Sequence, residues 1–264
     1  MTRRPENGPV DSLRSEGIEV AIADMDDRAS RDRVIRGADG VFSVQNFYET
    51  GPEREVEQGR NMAAAAAAAG VDHFVYASVA GSTLGTGIPQ FESKGRVERY
   101  IEQLKLPATI LQPIFFMDNL VQFFPPTTDE HGGLTVSMGL DPATRVPMIA
   151  TEDVGAVTAA VFADRDVWLG HSLELAGDVV TPNDIVATVE RVTQRPTTYV
   201  QVPSDEMRAI DQSLAELYDW LNASPYRTDP DHTRALDPMV MDLESYLRSV
   251  GWDENTVFDE PAWG

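Results

Sequence analysis

The chain has no cysteine, which excludes disulfides, thiolate metal sites and thiol nucleophiles. Among 21 basic residues only Lys94 and Lys105 are lysines; the rest are arginines. No apolar run approaches the roughly 20 residues of a membrane-spanning helix, and residues 1–10 are polar rather than a signal sequence. The four histidines, at 73, 131, 171 and 232, have no metal-ligand spacing, so no metal is expected. These absences predict a cytoplasmic protein.

What abounds is acid. Forty-three carboxylate residues leave a formal charge of −22 at pH 7. Such a surface suits molar salt, where screening shortens self-repulsion to a few ångströms, and a halophilic source is expected. Direct nucleic-acid binding is disfavoured, because a phosphate backbone needs clustered Lys and Arg. A length of 264 residues with 42% hydrophobic residues can bury a full core.

Along the chain, apolar runs alternate with helical stretches. Residues 17–24 (GIEVAIAD) read as a buried strand, 31–36 as a helix stopped by Gly37, and 40–45 (GVFSVQ) as a second strand. Pro52 opens a long helix through the alanine run, ended by Gly70. A strand at 73–78 (HFVYAS), a loop at 79–89, an amphipathic helix at 90–104 and a strand at 108–113 follow. On that helix Phe91, Val97, Tyr100, Ile101 and Leu104 fall on one face. The pattern predicts βαβ units and a parallel sheet. After Pro125-Pro126 the texture changes: strands near 134–138 and 146–150, a helix at 152–163, and a helix capped by Thr181 with Pro182 in its first turn. Residues 1–125 are expected to form the main domain and 126–264 a smaller lobe, some of whose strands and helices can join the first.

In register, "ADMDD", "GVFSVQNFYE", "EREVEQGR", "GVDHFVYASVAG", "FESKGRVERYIE", "ILQPIFFMDNL" and "TEDVGAV" resemble the NmrA-like family, an atypical branch of the short-chain dehydrogenase/reductases. The resemblance runs nearly the whole length. It implies a Rossmann-like doubly wound parallel sheet with a smaller α/β substrate lobe, and binding of NADP or NAD, with NADP favoured. Family members begin with a strand, a GxxGxxG turn and a helix, then a strand ending in Thr-Arg. Thr2-Arg3 matches that pair, so some thirty further residues upstream are expected, and the sheet reads as truncated at its N-terminal side.

The resemblance also implies site residues. Asp24 and Met25 would sit at the adenine, and Arg3 at a 2′-phosphate; otherwise Asp24 caps a helix and Arg3 is a terminal charge. Gln45, Asn46, Phe47 and Arg60 would line the cofactor, as would Phe116, Met117, Asp118 and Asn119 on the nicotinamide side. Ser78 and Lys94 match two members of the Ser-Tyr-Lys set of classical reductases, Lys94 clamping the ribose. The Tyr, four residues before the Lys, is here Gln90, and an amide has no proton to lose near neutrality. Tyr48 and Tyr76 are substitute acids that no spacing places near a substrate.

Two functional readings follow: a redox-responsive regulator working through a protein partner, with weak or no reductase activity, and an NAD(P)H-dependent reductase of a quinone or small carbonyl. An inert fragment is the third. The expected partners are a small molecule or a regulatory protein, with neither nucleic acid nor membrane.

Overall fold

The computed structural model describes residues 1–6, 8–223 and 228–258. In chain order the first elements are α1 (Gly8–Ser15), α2 (Arg28–Ile35), β1 (Gly40–Ser43), α3 (Phe47–Thr50), α4 (Pro52–Ala69), β2 (His73–Ala77), α5 (Pro89–Gln103) and β3 (Ala108–Pro113). Then come β4 (Phe115–Phe116), α6 (Asn119–Gln122), β5 (Thr127–Thr128), β6 (Leu134–Met138), β7 (Val146–Ile149), α7 (Thr151–Ala163), α8 (Arg165–Trp168), β8 (Ser172–Leu175) and β9 (Asp178–Val180). The last are α9 (Pro182–Thr193), β10 (Thr197–Gln201), α10 (Ser204–Ile210), α11 (Gln212–Ala223), α12 (Pro230–Leu236) and α13 (Leu243–Ser249). No helix among the described residues is long and apolar enough to cross a membrane.

Two interleaved units share the chain. Unit 1 comprises residues 1–78, 92–111 and 164–172; unit 2 comprises 79–91, 112–163 and 173–264. The expected boundary at residue 125 falls inside unit 2, which takes the larger share of the chain.

In unit 1, β1, β2 and β3 pair in parallel; the sheet order is β1-β2-β3-β8, with β8 starting at the last residue of unit 1, Ser172. This is the parallel α/β sheet that the alternation of strands and helices predicts. The alanines of α4 make it possible: Ala63 and Ala66 are fully buried, so the helix lies close against the core of Phe74, Tyr76 and Val97. Gly70 then stops α4 at φ +68°, where its N–H donates to the Ala66 and Ala67 carbonyls, the left-handed C-cap that glycine favours.

The expected strand at 17–24 is reduced to one parallel bridge between Thr2 and Ile22. Thr2 N–H donates to Ala21 and Ala23 N–H donates to Thr2, but the stretch has no continuous partner. Strand geometry needs a neighbour to satisfy it, and Ile18 and Ile22 remain about half exposed. On the sheet's near side β1 is an edge, with Phe42 and Val44 similarly exposed.

The single apolar face expected for the helix at 90–104 is divided. Phe91 packs into the core of unit 2, whereas Val97 and Ile101 belong to that of unit 1. Unit 2 has two three-stranded sheets, β10-β6-β5 and β4-β7-β9, each mixing parallel and antiparallel pairs. Around them pack Leu134, Met138, Met148, Ile185, Tyr218 and Leu247. Thr181 caps α9 as expected and forms a full capping box with Asp184.

Candidate functional site

Ser78 follows β2, and Lys94 lies on α5. The structure brings these two together: Lys94 Nζ is 3.4 Å from the Ala77 carbonyl, beside Ser78. Neither is unengaged. Lys94 forms an ion pair with Glu55 of α4, Nζ to Oε1 3.0 Å, and Glu55 is fully buried. The Ser93 hydroxyl donates to the other Glu55 oxygen. Ser78 donates to Glu98, one turn beyond Lys94 on α5. Tyr76 lies beneath, fully buried, with its ring 5.8 Å from the Lys94 ammonium.

Among the described residues these contacts join, none is an ordinary proton donor. Gln90 is a buried amide at the start of α5, in unit 2. The Tyr76 hydroxyl has no hydrogen-bond partner, and burial, then Glu55 and Glu98, push it well above the usual tyrosine range. It is held neutral and is a poor acid. Tyr48 is 70% exposed, packed edge-on against Phe47.

At the ends of β1 and of the Ile22 bridge lies a second group. Gln45 Nε2 donates to Ser43 Oγ (2.9 Å) and contacts Met25 Sδ (3.7 Å), leaving Gln45 Oε1 buried and unpartnered. Asp24 Oδ1 accepts from Asp26 N–H, the short-range turn typical of aspartate. Asn46 caps α3 through Tyr48 N–H, so Phe47 becomes that helix's first residue. Arg3 pairs with Glu49 of the same helix, both about half exposed. Thus Gln45 meets Met25, the chain neighbour of Asp24, and Arg3 meets the helix that Asn46 and Phe47 begin. Arg60, exposed on α4, instead stacks over the Tyr100 ring at 5.4 Å.

The four remaining residues lie in unit 2. Met117 is wholly buried core. Asp118 accepts from Thr151 N–H (2.9 Å) and Thr151 Oγ1 (2.5 Å), anchoring the start of α7. Phe116 ends β4 and Asn119 starts α6, its carbonyl taking the Phe123 and Phe124 N–H groups. A cavity of about 830 Å³ in unit 2, walled by Arg145, Asp178, Asn222 and Arg234 among others, includes none of the sequence-predicted residues. Among the described residues no group of three His, Asp or Glu could hold a metal ion.

Sequence reasoning missed Glu55, Ser93 and Glu98. Glu55 had a visible signal: it lies four and seven residues before Gly59 and Met62 on the buried stripe of α4, and a carboxylate on such a stripe requires a cation.

A parallel α/β sheet with polar residues gathered at its carboxyl ends defines a protein of the Rossmann-like α/β class. Comparison with known proteins identifies the family. The NmrA-like family profile matches residues 1–247, and the chain belongs to that family. It is 29% identical over 187 residues to the nitrogen metabolite repression protein nmrA of Emericella nidulans, covering 67% of this chain and 52% of that protein. It is 30% identical over 214 residues to a (4-alkanoyl-5-oxo-2,5-dihydrofuran-3-yl)methyl phosphate reductase of Streptomyces griseus, covering 79% of this chain and 70% of the relative. The chain thus spans about half the length of the fungal repressor proteins it matches, 52% and 47%. The fold matches a crystal structure of NmrA, a negative transcriptional regulator, in complex with NAD, with TM-score 0.82, 22% identity and coverage of 94% and 86%. It also matches an NADPH complex of an NADPH-dependent quinone oxidoreductase from Escherichia coli, with TM-score 0.75, 21% identity and coverage of 94% and 88%.

Proposed function

We propose that this chain is an NAD(P)-binding regulator of the NmrA type, with reductase activity weak or absent. The observations that carry this reading are Lys94 held at the Ala77 carbonyl, one residue before Ser78, with a Tyr76 hydroxyl held neutral, and a sequence with Gln90 four residues before Lys94 where the resemblance calls for a tyrosine. The residues that bind remain and the proton donor does not. General acid help is typically worth roughly 10²–10⁴ in rate, so its lack leaves binding while slowing turnover.

The residues fit the adenosine and ribose ends of the nucleotide. Asp24 and Met25 take the adenine, Gln45 offers an unpartnered oxygen with Asn46 and Phe47 beside it, and Lys94 takes a ribose hydroxyl. The sequence has no GxxGxxG run, so nothing here assigns the pyrophosphate. Arg3 favours NADP, its guanidinium turning from Glu49 to a 2′-phosphate. Ser78, Arg60 and the Phe116–Asn119 stretch stay candidates through family likeness alone. When bound, the nicotinamide supplies hydride chemistry; the chain's own part is to hold and orient it. The acidic surface supports a protein partner rather than DNA, in a salt-rich cytoplasm.

The test is titration with NADPH by fluorescence, alongside turnover on a panel of quinones and small aldehydes. Saturable binding, weakened about tenfold or more in Lys94→Ala, with negligible turnover supports the regulator. Turnover near roughly 10 s⁻¹, a median enzyme value, would establish the reductase instead. Absence of binding would defeat both.

A further inference from the structure

We infer that Glu55 is a positioning residue that makes Lys94 a hydrogen-bond donor to an uncharged oxygen, a hydroxyl or carbonyl, rather than an anion site. The inference rests on the reading of Lys94 as a ligand contact and says what kind of ligand atom it takes.

The argument begins with what the ammonium has already spent. A lysine carries three N–H donors and no acceptor. Glu55 Oε1 lies 3.0 Å from Nζ, near enough for charge pairing, yet that oxygen accepts no well-aligned hydrogen bond. The Ala77 carbonyl, at 3.4 Å, is a long contact. Donor capacity therefore remains, and the Lys94 side chain is still 15% exposed.

The charge, by contrast, is spent. Glu55 is fully buried, and its second oxygen is held by the Ser93 hydroxyl, so the carboxylate cannot swing out to water. Glu98 stands one turn further along α5, bound to Ser78. A phosphate or carboxylate brought to Lys94 would meet two carboxylates and one ammonium. A neutral oxygen meets no such repulsion, and a donor polarised by a low-dielectric environment serves it well. The Tyr76 ring lies 5.8 Å from the same ammonium.

The scarcity of lysine makes this directly measurable. Acetic anhydride can label only Lys94, Lys105 and the chain's amino terminus, and exposed Lys105 serves as an internal reference. In Glu55→Gln the ammonium loses the buried carboxylate that pins it, so Lys94 is freer to react. The Lys94/Lys105 acetylation ratio at pH 8, read by mass spectrometry, should rise severalfold. Glu55→Asp, which keeps the charge, should stay within about twofold of the parent. Ser93→Ala loosens the same turn while leaving the ion pair, and should also leave the ratio near the parent value.

An unchanged ratio in Glu55→Gln, or an equal rise in Ser93→Ala, would overturn the inference. A separate arm tests the underlying reading: saturating NADPH should shield Lys94 in the parent protein. NADPH that binds without shielding would sink the ribose assignment of Lys94, while the acetylation ratios would still decide the role of Glu55.

Discussion

Asp153, on α7, is 4% exposed and accepts the Met241 N–H at 3.0 Å. Burial raises its carboxyl above the ordinary range, opposed by that hydrogen bond and reinforced by Asp237, Glu152 and Asp118. A carboxyl raised on folding binds its proton more tightly in the folded state, so its ionisation at neutral pH works against the fold. Stability from this group therefore increases as pH falls through its folded value, the reverse of a salt-bridged aspartate. Asp153→Asn keeps an oxygen for Met241 and drops the charge. Its Tm at pH 7 should exceed the parent's by about 2–4 °C, the shift that ~1 kcal/mol makes in a chain of this size. The gain should shrink as melts are repeated toward pH 4. The same accounting explains what the sequence concealed at Lys94. Its place on α5 was legible, but its partner lies 39 residues earlier, and only the packing of α4 brings Glu55 to it.

At the scale of elements, the legible parts were those with strong local chemistry. The Pro52-to-Gly70 helix, the Thr181 cap and the strands at β2 and β3 all carry their own punctuation. Elements that depend on neighbours were hidden. β4 and β5 have two residues each and β9 three, too few for any alternation to show. The split face of α5 was hidden for the same reason: periodicity shows that Phe91 and Val97 are buried, not that they enter different cores. Glycines mark two places where elements touch. A Cβ at Gly59 of α4 would lie 2.6 Å from a Val97 methyl of α5, and one at Gly177 would lie 2.2 Å from the Met241 carbonyl oxygen. A backbone oxygen cannot rotate away. Gly177→Ala should cost about 1–3 kcal/mol or more, whereas in Gly59→Ala a better helix propensity returns up to ~1 kcal/mol. Urea unfolding should rank the midpoints parent, Gly59→Ala, Gly177→Ala; equal midpoints would contradict the contact at Met241.

For the whole molecule, charge dominates. At −22 the carboxylates repel over about 10 Å at 0.1 M salt and over about 3 Å at 1 M. Many ion pairs are local and exposed, such as Arg14 with Asp11, Arg28 with Asp32 and Arg208 with Asp205, and pairs of that kind contribute little. Relief of the general repulsion should outweigh their loss. Thermal melts should rise steadily from 0.1 M to 3 M KCl, and a flat or falling series would count against a halophilic origin.

The interleaving of the two units has a consequence for synthesis. The polypeptide passes from one unit to the other five times, and unit 1 receives its last piece only at residues 164–172. A chain leaving the ribosome cannot finish the β1-β2-β3-β8 sheet until Ser172 and its successors have emerged. By then more than half of unit 2 is still to come. The nascent chain must carry β1, β2 and β3 unfinished for some sixty residues of translation, at about 5–20 residues per second. Unit 1 therefore has its whole sequence out of the ribosome while most of unit 2 is still to be made, and unit 2 closes last.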